Sequence, residues 1–346
     1  MKTSCKYGSH RVKAPKGALP QAADSLDNTP VCGDNECLID VKVLNIDSAS
    51  FQQIKTVCNH DEIAMATMIK DIVNTRGKMQ NPVTGSGGML MGSVREVGPD
   101  FHDPTLQPGT PIATLVSLTL TPLVIEEITA IVAAQDQVHI KGTAVLFDSG
   151  IYAVLPEDLD ETLVLSALDV AGAPPQMARL AKEGDTVFVL GAAGKSGLLC
   201  LAQARRSVGA TGKVIGLVNE PAQKTLLESL CWCDTIILAD AQDALTVYEA
   251  VREATAGAMV DLSVNVVNVG DTEMTSMMVT KDGGTVYFFS MATSFQKAAL
   301  GAEGIGKDIT MIIGNGYAKG HADFTLDLVR TTPKLLDIFK ARYTKS

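Results

Sequence analysis

The pattern of hydrophobic and polar positions changes character near the middle of the chain. Within residues 1–150, short stretches alternate apolar and polar side chains, as in ECLIDVKVLNI at residues 36–46, and Gly- and Pro-rich turns separate them. Beyond about residue 152, short β-branched runs alternate with segments whose apolar residues recur at helical spacing. We therefore predict an α/β protein with a β-rich first domain and a second domain built on a doubly wound parallel sheet.

The most specific signal lies in residues 185–220. The run TVFVL leads into glycines at every third position, Gly191, Gly194 and Gly197, and a helical apolar pattern follows. Glycine is required in such a turn because a pyrophosphate reaches the N–H groups at a helix N-terminus only where side chains are absent. A second strand pattern then ends where an acidic residue that binds ribose is expected. The order strand, turn, helix and strand predicts a dinucleotide site; the alternative is a glycine-rich turn that binds nothing.

The predicted cofactor-binding residues lie in this turn and just after the second strand. They are Gly191, Ala193, Gly194, Lys195, Ser196, Gly197, Asn219, Glu220 and Lys224. Glu220 favours NAD, because a carboxylate accepts hydrogen bonds from the ribose hydroxyls. Lys224 leaves NADP open as an alternative, since an ammonium group suits a 2′-phosphate.

Composition limits the expected partners. The 346 residues include 29 Lys and Arg against 39 Asp and Glu, a formal net charge of −10, and no basic run stands out. Nucleic acid and anionic membrane are therefore not expected as partners. The sequence shows neither a basic-then-apolar leader nor an apolar span of membrane-crossing length, so we expect a soluble cytoplasmic protein. Seven cysteines, an odd number without a C-x-x-C pair, are interpreted as free thiols.

The sequence assigns no functional role to the N-terminal basic cluster or to the four scattered histidines. Residues 1–35 are expected to form an irregular, solvated arm. Their basic cluster comprises Lys6, His10, Arg11, Lys13 and Lys16. The histidines His60, His102, His139 and His321 are scattered without paired spacing and are expected at the surface.

Three motifs together resemble the medium-chain dehydrogenase/reductase superfamily. They are G-x-V-x-x-V-G at residues 92–98, a Pro-Gly-Thr turn at 108–112, and G-D-x-V-x-V-x-G-x-x-G-x-x-G at 184–197. The resemblance implies a GroES-like β-barrel catalytic domain from residues 1–153 and 318–346, and a Rossmann dinucleotide-binding domain from 154–317. It also implies a homodimer that pairs through an edge of the nucleotide-domain sheet. The apolar strand at 283–289 is the expected edge; the alternative is an ordinary buried strand.

The sequence departs from the zinc-dependent members of that superfamily. Where those members have a cysteine after the strand at 41–46, this chain has Asp47, and where they have Gly-His-Glu it has Gly87-Gly88-Met89. Glycine and methionine do not supply the imidazole or carboxylate that a catalytic zinc requires. A cysteine-rich structural-zinc segment is missing as well. We therefore predict no zinc and an organic side chain in its place.

Within the superfamily, several segments resemble the amine dehydrogenases of bacterial lysine fermentation. The segments include LNIDSASFQQIK at 44–55, NPVTGSGGML at 81–90 and LGAAGKSG at 190–197. This resemblance implies oxidative deamination of a small diamino acid, 3,5-diaminohexanoate, to 5-amino-3-oxohexanoate and ammonium. The alternatives are a zinc-independent quinone or enoyl reductase, and a nucleotide-binding protein without catalysis.

Such chemistry requires a base, because only a neutral amine can push electrons into the forming C=N bond. Asp47 is the first candidate, since it occupies the expected metal-ligand position; the alternative is that it caps the following helix, a role that Ser48 or Ser50 could also fill. Ser48, beside it, completes this candidate catalytic pair. Asp169 is the second candidate acid, near another family ligand position, with a capped or paired structural acid as the alternative.

Substrate recognition has its own candidates in residues 76–88. Thr84, Ser86 and the amide of Gly87 are candidates for binding the substrate carboxylate or the water that attacks the imine, although turn-forming roles explain them equally well. Arg76 is a candidate clamp for the carboxylate. The alternative for Arg76 is a charge on a solvated loop.

Overall fold

The computed structural model describes residues 4–314 and 316–344, which form two compact units. The first unit ends at Asp169, and the second runs from Val170 to Thr344. This division differs from the predicted domain limits, because residues 154–169 group with the first unit and the C-terminal helices group with the second. No helix among the described residues combines the length and apolar character needed to cross a bilayer.

Over its described residues, the first unit contains a six-stranded antiparallel sheet, a small two-stranded sheet, three α-helices and two short 3-10 helices, Ser9–Arg11 and Leu118–Leu120. Its elements are β1 (Val12–Ala14), β2 (Ser25–Leu26), β3 (Glu36–Ile46), α1 (Ser48–Val57), α2 (Glu62–Arg76), β4 (Gly88–Val97), β5 (Pro111–Thr114), β6 (Leu123–Val132), β7 (Gln137–Phe147), β8 (Tyr152–Val154) and α3 (Glu161–Leu168). The strand order is β6-β7-β3-β4-β5-β8, and every neighbouring pair is antiparallel. This confirms the β-rich first domain.

Strand β3 lies at the centre of this sheet and is buried on both faces. Ile39, Leu44 and Ile46 belong to one apolar core, which also takes in side chains of α1 and α2. Leu38 packs on the other face against Val145 and Phe147 of β7. The alternating pattern predicts a half-buried strand, but the second face is covered too, and each apolar side chain so buried contributes about 1.5–3 kcal/mol.

The N-terminal segment contains a buried ion-pair cluster instead of a solvated arm. Glu36 is fully buried, and Arg11 donates to it from Nε over 2.6 Å and from Nη2 over 2.5 Å. His10 Nε2 lies 2.8 Å from the same carboxylate. Burial alone would raise the pKa of Glu36, but the hydrogen bonds from Arg11 and His10 outweigh it and lower the pKa to about 2. The expectation of a solvated arm is therefore wrong for Arg11.

The second unit is a parallel six-stranded sheet with helical crossovers. Its elements are α4 (Ala173–Leu180), β9 (Thr186–Leu190), α5 (Lys195–Val208), β10 (Lys213–Val218), α6 (Pro221–Leu230), β11 (Thr235–Leu238), α7 (Ala244–Ala254), β12 (Val260–Asn265), α8 (Glu273–Val279), β13 (Thr280–Phe288), α9 (Phe295–Ile305), β14 (Thr310–Ile313), α10 (His321–Arg330) and α11 (Pro333–Tyr343). The order β11-β10-β9-β12-β13-β14 reverses direction beside β9, as in the doubly wound dinucleotide fold. The predicted fold class is confirmed.

The edge strands of this sheet are β11 and β14. Strand β13, which contains most of residues 283–289, pairs with β12 on one side and with β14 on the other. The prediction that 283–289 forms an edge is therefore wrong. An apolar run of this kind does not distinguish a central strand from an edge strand, and the short strand β14 outside it was not predicted.

The C-terminal helices α10 and α11 pack against α4 and α5 of the second unit. Arg206 of α5 donates to the carbonyl of Thr331 and to the hydroxyl of Thr332. Lys334 donates to the carbonyl oxygens of Ser229 and Leu230 at the end of α6. His321, expected at the surface, is only 4% exposed, and burial lowers its pKa.

Candidate active site and cofactor site

The glycine turn after β9 closes so tightly that side chains are excluded at two of its positions. Gly191 has a φ of +80°, and a Cβ there would lie 3.0 Å from the backbone of Val267. A Cβ on Gly197 would lie 2.2 Å from the carbonyl oxygen of Gly191. Each glycine is therefore required by a different contact, one with the segment after β12 and one within the turn itself.

Gly194 provides the opening that an anion needs. It is exposed, and it occupies the N-cap of the 14-residue helix α5 without any side-chain cap in the described chain. The first-turn N–H groups of α5, from Lys195 and Ser196 onward, carry the positive end of the helix dipole. The turn also lies beside the point where the strand order reverses, where dinucleotides bind in this fold. The residues present therefore fit the pyrophosphate of a nicotinamide dinucleotide.

The end of β10 provides the expected ribose-binding positions. Asn219 and Glu220 are both exposed, and Glu220 stands at the N-cap of α6 without capping it through its side chain. The N–H of Lys224 donates to the carbonyl of Glu220 over 3.1 Å, so Lys224 lies one turn into the same helix. The acidic residue Glu220 and the basic residue Lys224 thus lie at the same end of the sheet as the glycine turn.

Arg342 of the C-terminal helix α11 donates a hydrogen bond to the glycine turn. This contact is not identified from the sequence. The Nη1 atom of Arg342 donates to the carbonyl oxygen of Ala193 over 3.0 Å. Arg342 lies in the last turn of α11, 149 positions from Ala193. Nothing in the sequence around it signals this contact, because only the packing of α11 on α5 creates it.

Two further loops at the same end of the sheet are tied to each other. The amide of Asn265, the last residue of β12, donates to the hydroxyls of Thr272 and Ser276 over 2.9 and 3.0 Å. Glu273 is 2% exposed, and its carboxylate accepts from the backbone N–H of Ser294 over 2.6 Å. These bonds fix the segments that follow β12 and β13, and sequence reasoning identified neither.

In the first unit, Asp47 is the N-cap of α1. Its Oδ1 accepts from the backbone N–H of Ser50 over 3.0 Å, which confirms the capping interpretation. The same oxygen accepts from the hydroxyl of Ser86 over 2.9 Å. The other oxygen, Oδ2, is buried and has no hydrogen-bond partner among the described residues. One oxygen of Asp47 therefore serves the structure, and the second is a buried acceptor that the described residues leave unused.

Ser50, Thr84 and Ser86 form a hydroxyl cluster next to Asp47. Ser50 Oγ lies 2.6 Å from Thr84 Oγ1 and 2.8 Å from Ser86 Oγ, and the last two atoms are 3.0 Å apart. Ser50 is fully buried, Ser86 half-buried and Thr84 exposed. The structure thus brings together three of the predicted residues, Asp47, Thr84 and Ser86, and adds Ser50, which was considered only as a helix cap.

Asn81 holds the loop that carries Thr84 and Ser86. This fully buried residue accepts from the N–H of Val83 over 2.8 Å through its side chain, and its own N–H donates to the carbonyl of Ser86 over 2.9 Å. Its amide also donates to Gln53 of α1 over 2.8 Å. Asn81 therefore sets the distance between the loop and α1, although no local sequence signal marks it.

The remaining candidates in this unit lie apart from the hydroxyl cluster or serve the backbone. Ser48 is exposed and donates to Asp136 over 2.7 Å. The carbonyl of Gly87 accepts from the N–H of Asp47 over 3.4 Å. Arg76 donates to the carbonyls of Asp24 and Gln80, and it lines an open groove of about 880 Å³ along α2.

Asp169 follows α3 directly and is half-buried. Its backbone N–H donates to the carbonyl of Leu165 over 3.1 Å, so it ends the helix. A carboxylate there faces the negative end of the helix dipole, which costs about 0.3–1 kcal/mol. The dipole of α3 therefore does not stabilise a charge at Asp169.

Two buried amides lie side by side close to Asp47. Asn45 and Gln137 are directly opposite on β3 and β7, at 1% and 0% exposure. All four of their side-chain polar atoms lack a hydrogen-bond partner within the described chain. In residues 4–314 and 316–344, no group of three or more His, Cys, Asp or Glu side chains is arranged to hold a metal ion.

Several solved structures with this fold are named as oxidoreductases. The chain aligns with an alcohol dehydrogenase from Thermotoga maritima at 16% identity and a TM-score of 0.56, covering 89% of this chain and 85% of that one. A quinone oxidoreductase from Pseudomonas syringae aligns at 17% identity and 0.54, covering 94% and 86%. A mycobacterial protein complexed with NADPH aligns at 16% and 0.56, covering 93% and 86%. The chain therefore shares the fold of this class of oxidoreductases, and its glycine turn fits a dinucleotide.

Sequence comparison identifies the family within this class. The chain is 54% identical to the L-erythro-3,5-diaminohexanoate dehydrogenases of Acetoanaerobium sticklandii, over 98% of this chain and 99% of that protein, and of Fusobacterium nucleatum, over 99% and 100%. The chain therefore belongs to the L-erythro-3,5-diaminohexanoate dehydrogenase family. Residues 10–156 also match the family model described as the N-terminal domain of that enzyme.

Proposed function

We propose that this chain catalyses the oxidative deamination of L-erythro-3,5-diaminohexanoate to 5-amino-3-oxohexanoate and ammonium, as a step of lysine degradation. The observation that carries the proposal is 54% identity to two dehydrogenases of that name over nearly the whole of each chain. The glycine turn and the carboxylate of Asp47 supply the two kinds of group that such a reaction requires, an anion-binding helix start and a base.

The glycine turn would hold the nicotinamide cofactor, which would supply a hydride acceptor for the substrate carbon when bound. Gly191, Gly194 and Gly197 leave room for its pyrophosphate at the start of α5. We propose a preference for NAD, because Glu220 offers a carboxylate to the ribose hydroxyls. Lys224, one turn further on, is the group that would favour NADP.

Asp47 is the proposed base. The substrate ammonium must lose a proton before its carbon can give up hydride, and a carboxylate within hydrogen-bond reach can accept that proton. Because Oδ1 already accepts from Ser50 and Ser86, the proton goes to Oδ2. Asp169 is the second proposed acid, whose carboxylate would attract the distal ammonium group of the substrate.

The reaction is proposed to be zinc-independent. Asp47 and the Gly87-Gly88 pair stand where zinc-dependent members of the class have a cysteine and a Gly-His-Glu run. A carboxylate next to glycines is a poor zinc site, whereas it is a suitable base. Metal analysis of the purified protein, together with turnover after dialysis against a strong chelator, tests this directly.

We propose a homodimer that forms through strand β14. This edge strand ends at Ile313, which is 63% exposed, and the preceding helix α9 exposes Phe295 and Leu300. An exposed apolar edge strand is a template for pairing with a second copy. Ile313→Glu should convert the dimer to a monomer in analytical ultracentrifugation. Leu238→Glu on β11, the opposite edge, is the matched control and should leave the dimer intact.

The proposed activity is tested with a panel of substrates. Purified protein is mixed with NAD or NADP and, in turn, 3,5-diaminohexanoate, a monoamino β-amino acid and a secondary alcohol. In the reverse direction, the reduced cofactors are mixed with a quinone or an enoyl thioester. We expect cofactor reduction with the diamino acid and release of ammonium. Turnover confined to the quinone or the enoyl thioester would instead assign the chain to a reductase class.

A further inference from the structure

A continuous chain of hydrogen-bonded side chains connects the proposed base to the protein surface. It begins at Asp47, continues through Ser86, which is 2.9 Å away, and ends at Thr84, which is exposed and 3.0 Å from Ser86. Ser50 adds a parallel link, 2.8 Å from Ser86 and 2.6 Å from Thr84. Each separation lies in the normal range for O–H···O hydrogen bonds or at its edge.

The proposed reaction needs such an exit because each turnover releases one proton. The ammonium group gives its proton to Asp47, the neutral amine loses hydride to the cofactor and becomes an iminium, and water converts the iminium to the ketone and ammonium. Hydrolysis of the iminium neither takes up nor releases a net proton. The proton that Asp47 accepted is therefore the one that each turnover must release to solvent. It must reach solvent before the next substrate binds, yet Oδ2 of Asp47 is buried.

We propose that Ser86, Ser50 and Thr84 relay this proton from Asp47 to solvent. Ser86 has a single hydroxyl hydrogen and three acceptors in reach, Asp47 Oδ1 on the inner side and Thr84 Oγ1 and Ser50 Oγ on the outer side. When Asp47 is ionised, Ser86 donates inward and holds the carboxylate. When Asp47 is protonated, rotation of its carboxyl group brings the acidic hydrogen to Ser86, which then donates outward. Thr84 passes the proton to water.

This assignment differs from a substrate-binding role for Thr84 and Ser86. Their hydroxyls are occupied by each other, by Ser50 and by Asp47, so they act through Asp47 and are positioning residues. The buried Asn81, which accepts from the N–H of Val83 and bonds to α1, keeps the loop at relay distance. The inference rests on the proposed function with Asp47 as the base.

Buffer rescue tests the relay, because an external base can replace a lost proton path but cannot repair a structural fault. Thr84→Val removes the outer hydroxyl with little change in shape, and Ser86→Ala removes the central one. We expect kcat for 3,5-diaminohexanoate to fall about tenfold or more in dilute buffer. Small amine or imidazole buffers should restore it in a concentration-dependent way, with cofactor KM unchanged. Ser86→Thr, which keeps a hydroxyl, should retain turnover.

Thr105→Val is the matched control. Thr105 also donates to a carboxylate, Asp103, over 2.6 Å on the same unit, but outside the chain of hydroxyls. Its kcat should match wild type and should not respond to buffer. Equal losses in Thr84→Val and Thr105→Val, or losses that buffer does not restore, would overturn the relay. Absence of wild-type turnover with the diamino acid would instead overturn the proposed function, and the relay with it.

Discussion

Asp47 accepts a hydrogen bond from Ser86 over 2.9 Å on one carboxylate oxygen, while its other oxygen is buried without a partner among the described residues. The two residues are 39 positions apart: Asp47 precedes helix α1 in the sequence, and Ser86 follows helix α2. The contact explains how one carboxylate can cap a helix and still accept a proton. Fixing Oδ1 also orients Oδ2, which a catalytic base requires.

Gly194→Ala should weaken dinucleotide binding far more than it changes the stability of the free protein. The φ of Gly194 is −73°, which alanine adopts, and the nearest atom to an added Cβ is the Gly191 carbonyl oxygen at 3.3 Å. The methyl group would instead occupy the space that the pyrophosphate needs. We expect the Kd for NAD, measured by calorimetry, to rise about tenfold, or ~1.4 kcal/mol.

Gly304→Ala in α9 is the control for this change. No heavy atom lies within 4 Å of a Cβ there, so binding should be unaffected. Equal affinities of the Gly194 variant and wild type would show that the cofactor phosphates lie elsewhere.

Glu220 and Lys224 should control cofactor choice in opposite directions. Glu220→Ala removes the acceptor for the ribose hydroxyls and should raise the KM for NAD more than that for NADP. Lys224→Ala should raise the KM for NADP more than that for NAD, since it removes the candidate partner of the 2′-phosphate. Lys213→Ala, at the other end of β10, should change neither value. Parallel changes for both cofactors in both variants would contradict these roles.

The buried Glu36 should make stability depend on acid pH. Its pKa is about 2 in the folded chain against an ordinary value of 4.5, so its contribution is complete above about pH 4.5 and is lost as pH falls toward 2. Glu36→Gln removes the charge that Arg11 requires and should cost about 3 kcal/mol at neutral pH. Thermal unfolding followed across this pH range should show a flatter acid limb in the variant.

Glu127→Gln is the matched control for Glu36. Glu127 pairs with Lys141 over 2.6 Å at the exposed surface, where solvent screens the interaction. This variant should unfold like wild type at neutral pH. A comparable loss in both variants would contradict the importance of burial.

The buried side-chain amides of Asn45 and Gln137, which have no hydrogen-bond partner among the described residues, should lower the free energy of unfolding. Replacing Gln137 with Met removes two buried polar atoms without partners, and stability should rise by about 1 kcal/mol. Asn81→Leu is the contrasting variant, because that amide bonds to Gln53 and to the N–H of Val83, and it should lose about 2 kcal/mol or more. Chemical denaturation measures both. A large loss in Gln137→Met would show that its amide is satisfied in solution.

Local steric rules made the nucleotide fold predictable. The glycine turn was identified because close approaches at Gly191 and Gly197 leave no room for a Cβ, and this requirement is visible as spacing. Strands β9 and β10 were identified because buried parallel strands are continuous apolar runs. Strand β14 was missed, since four residues between a charged segment and a glycine give little signal. Because β14 is not part of the predicted sheet, residues 283–289 are predicted as the edge strand.

The candidate site was predictable only where position along a motif sufficed. Asp47 was identified from its place after β3, and both its capping role and its availability follow from the structure. Ser50 and Ser86 are 36 positions apart, and Arg342 and Ala193 are 149 apart. Such contacts depend on packing between elements, which hydrophobic periodicity does not encode. The sequence likewise predicts an exposed Arg11, because its partner Glu36 lies 25 positions away and only packing brings the two together.

Asp47→Asn tests the central claim most directly. Asparagine still caps α1 through its side-chain oxygen but cannot accept the substrate proton, so the fold and cofactor binding should survive while turnover of 3,5-diaminohexanoate falls by about 10² or more. Asp61→Asn, at the equivalent cap of α2, is the control and should turn over normally. We predict a loss confined to Asp47→Asn; equal kcat values for the two variants would contradict the assignment of Asp47 as the base.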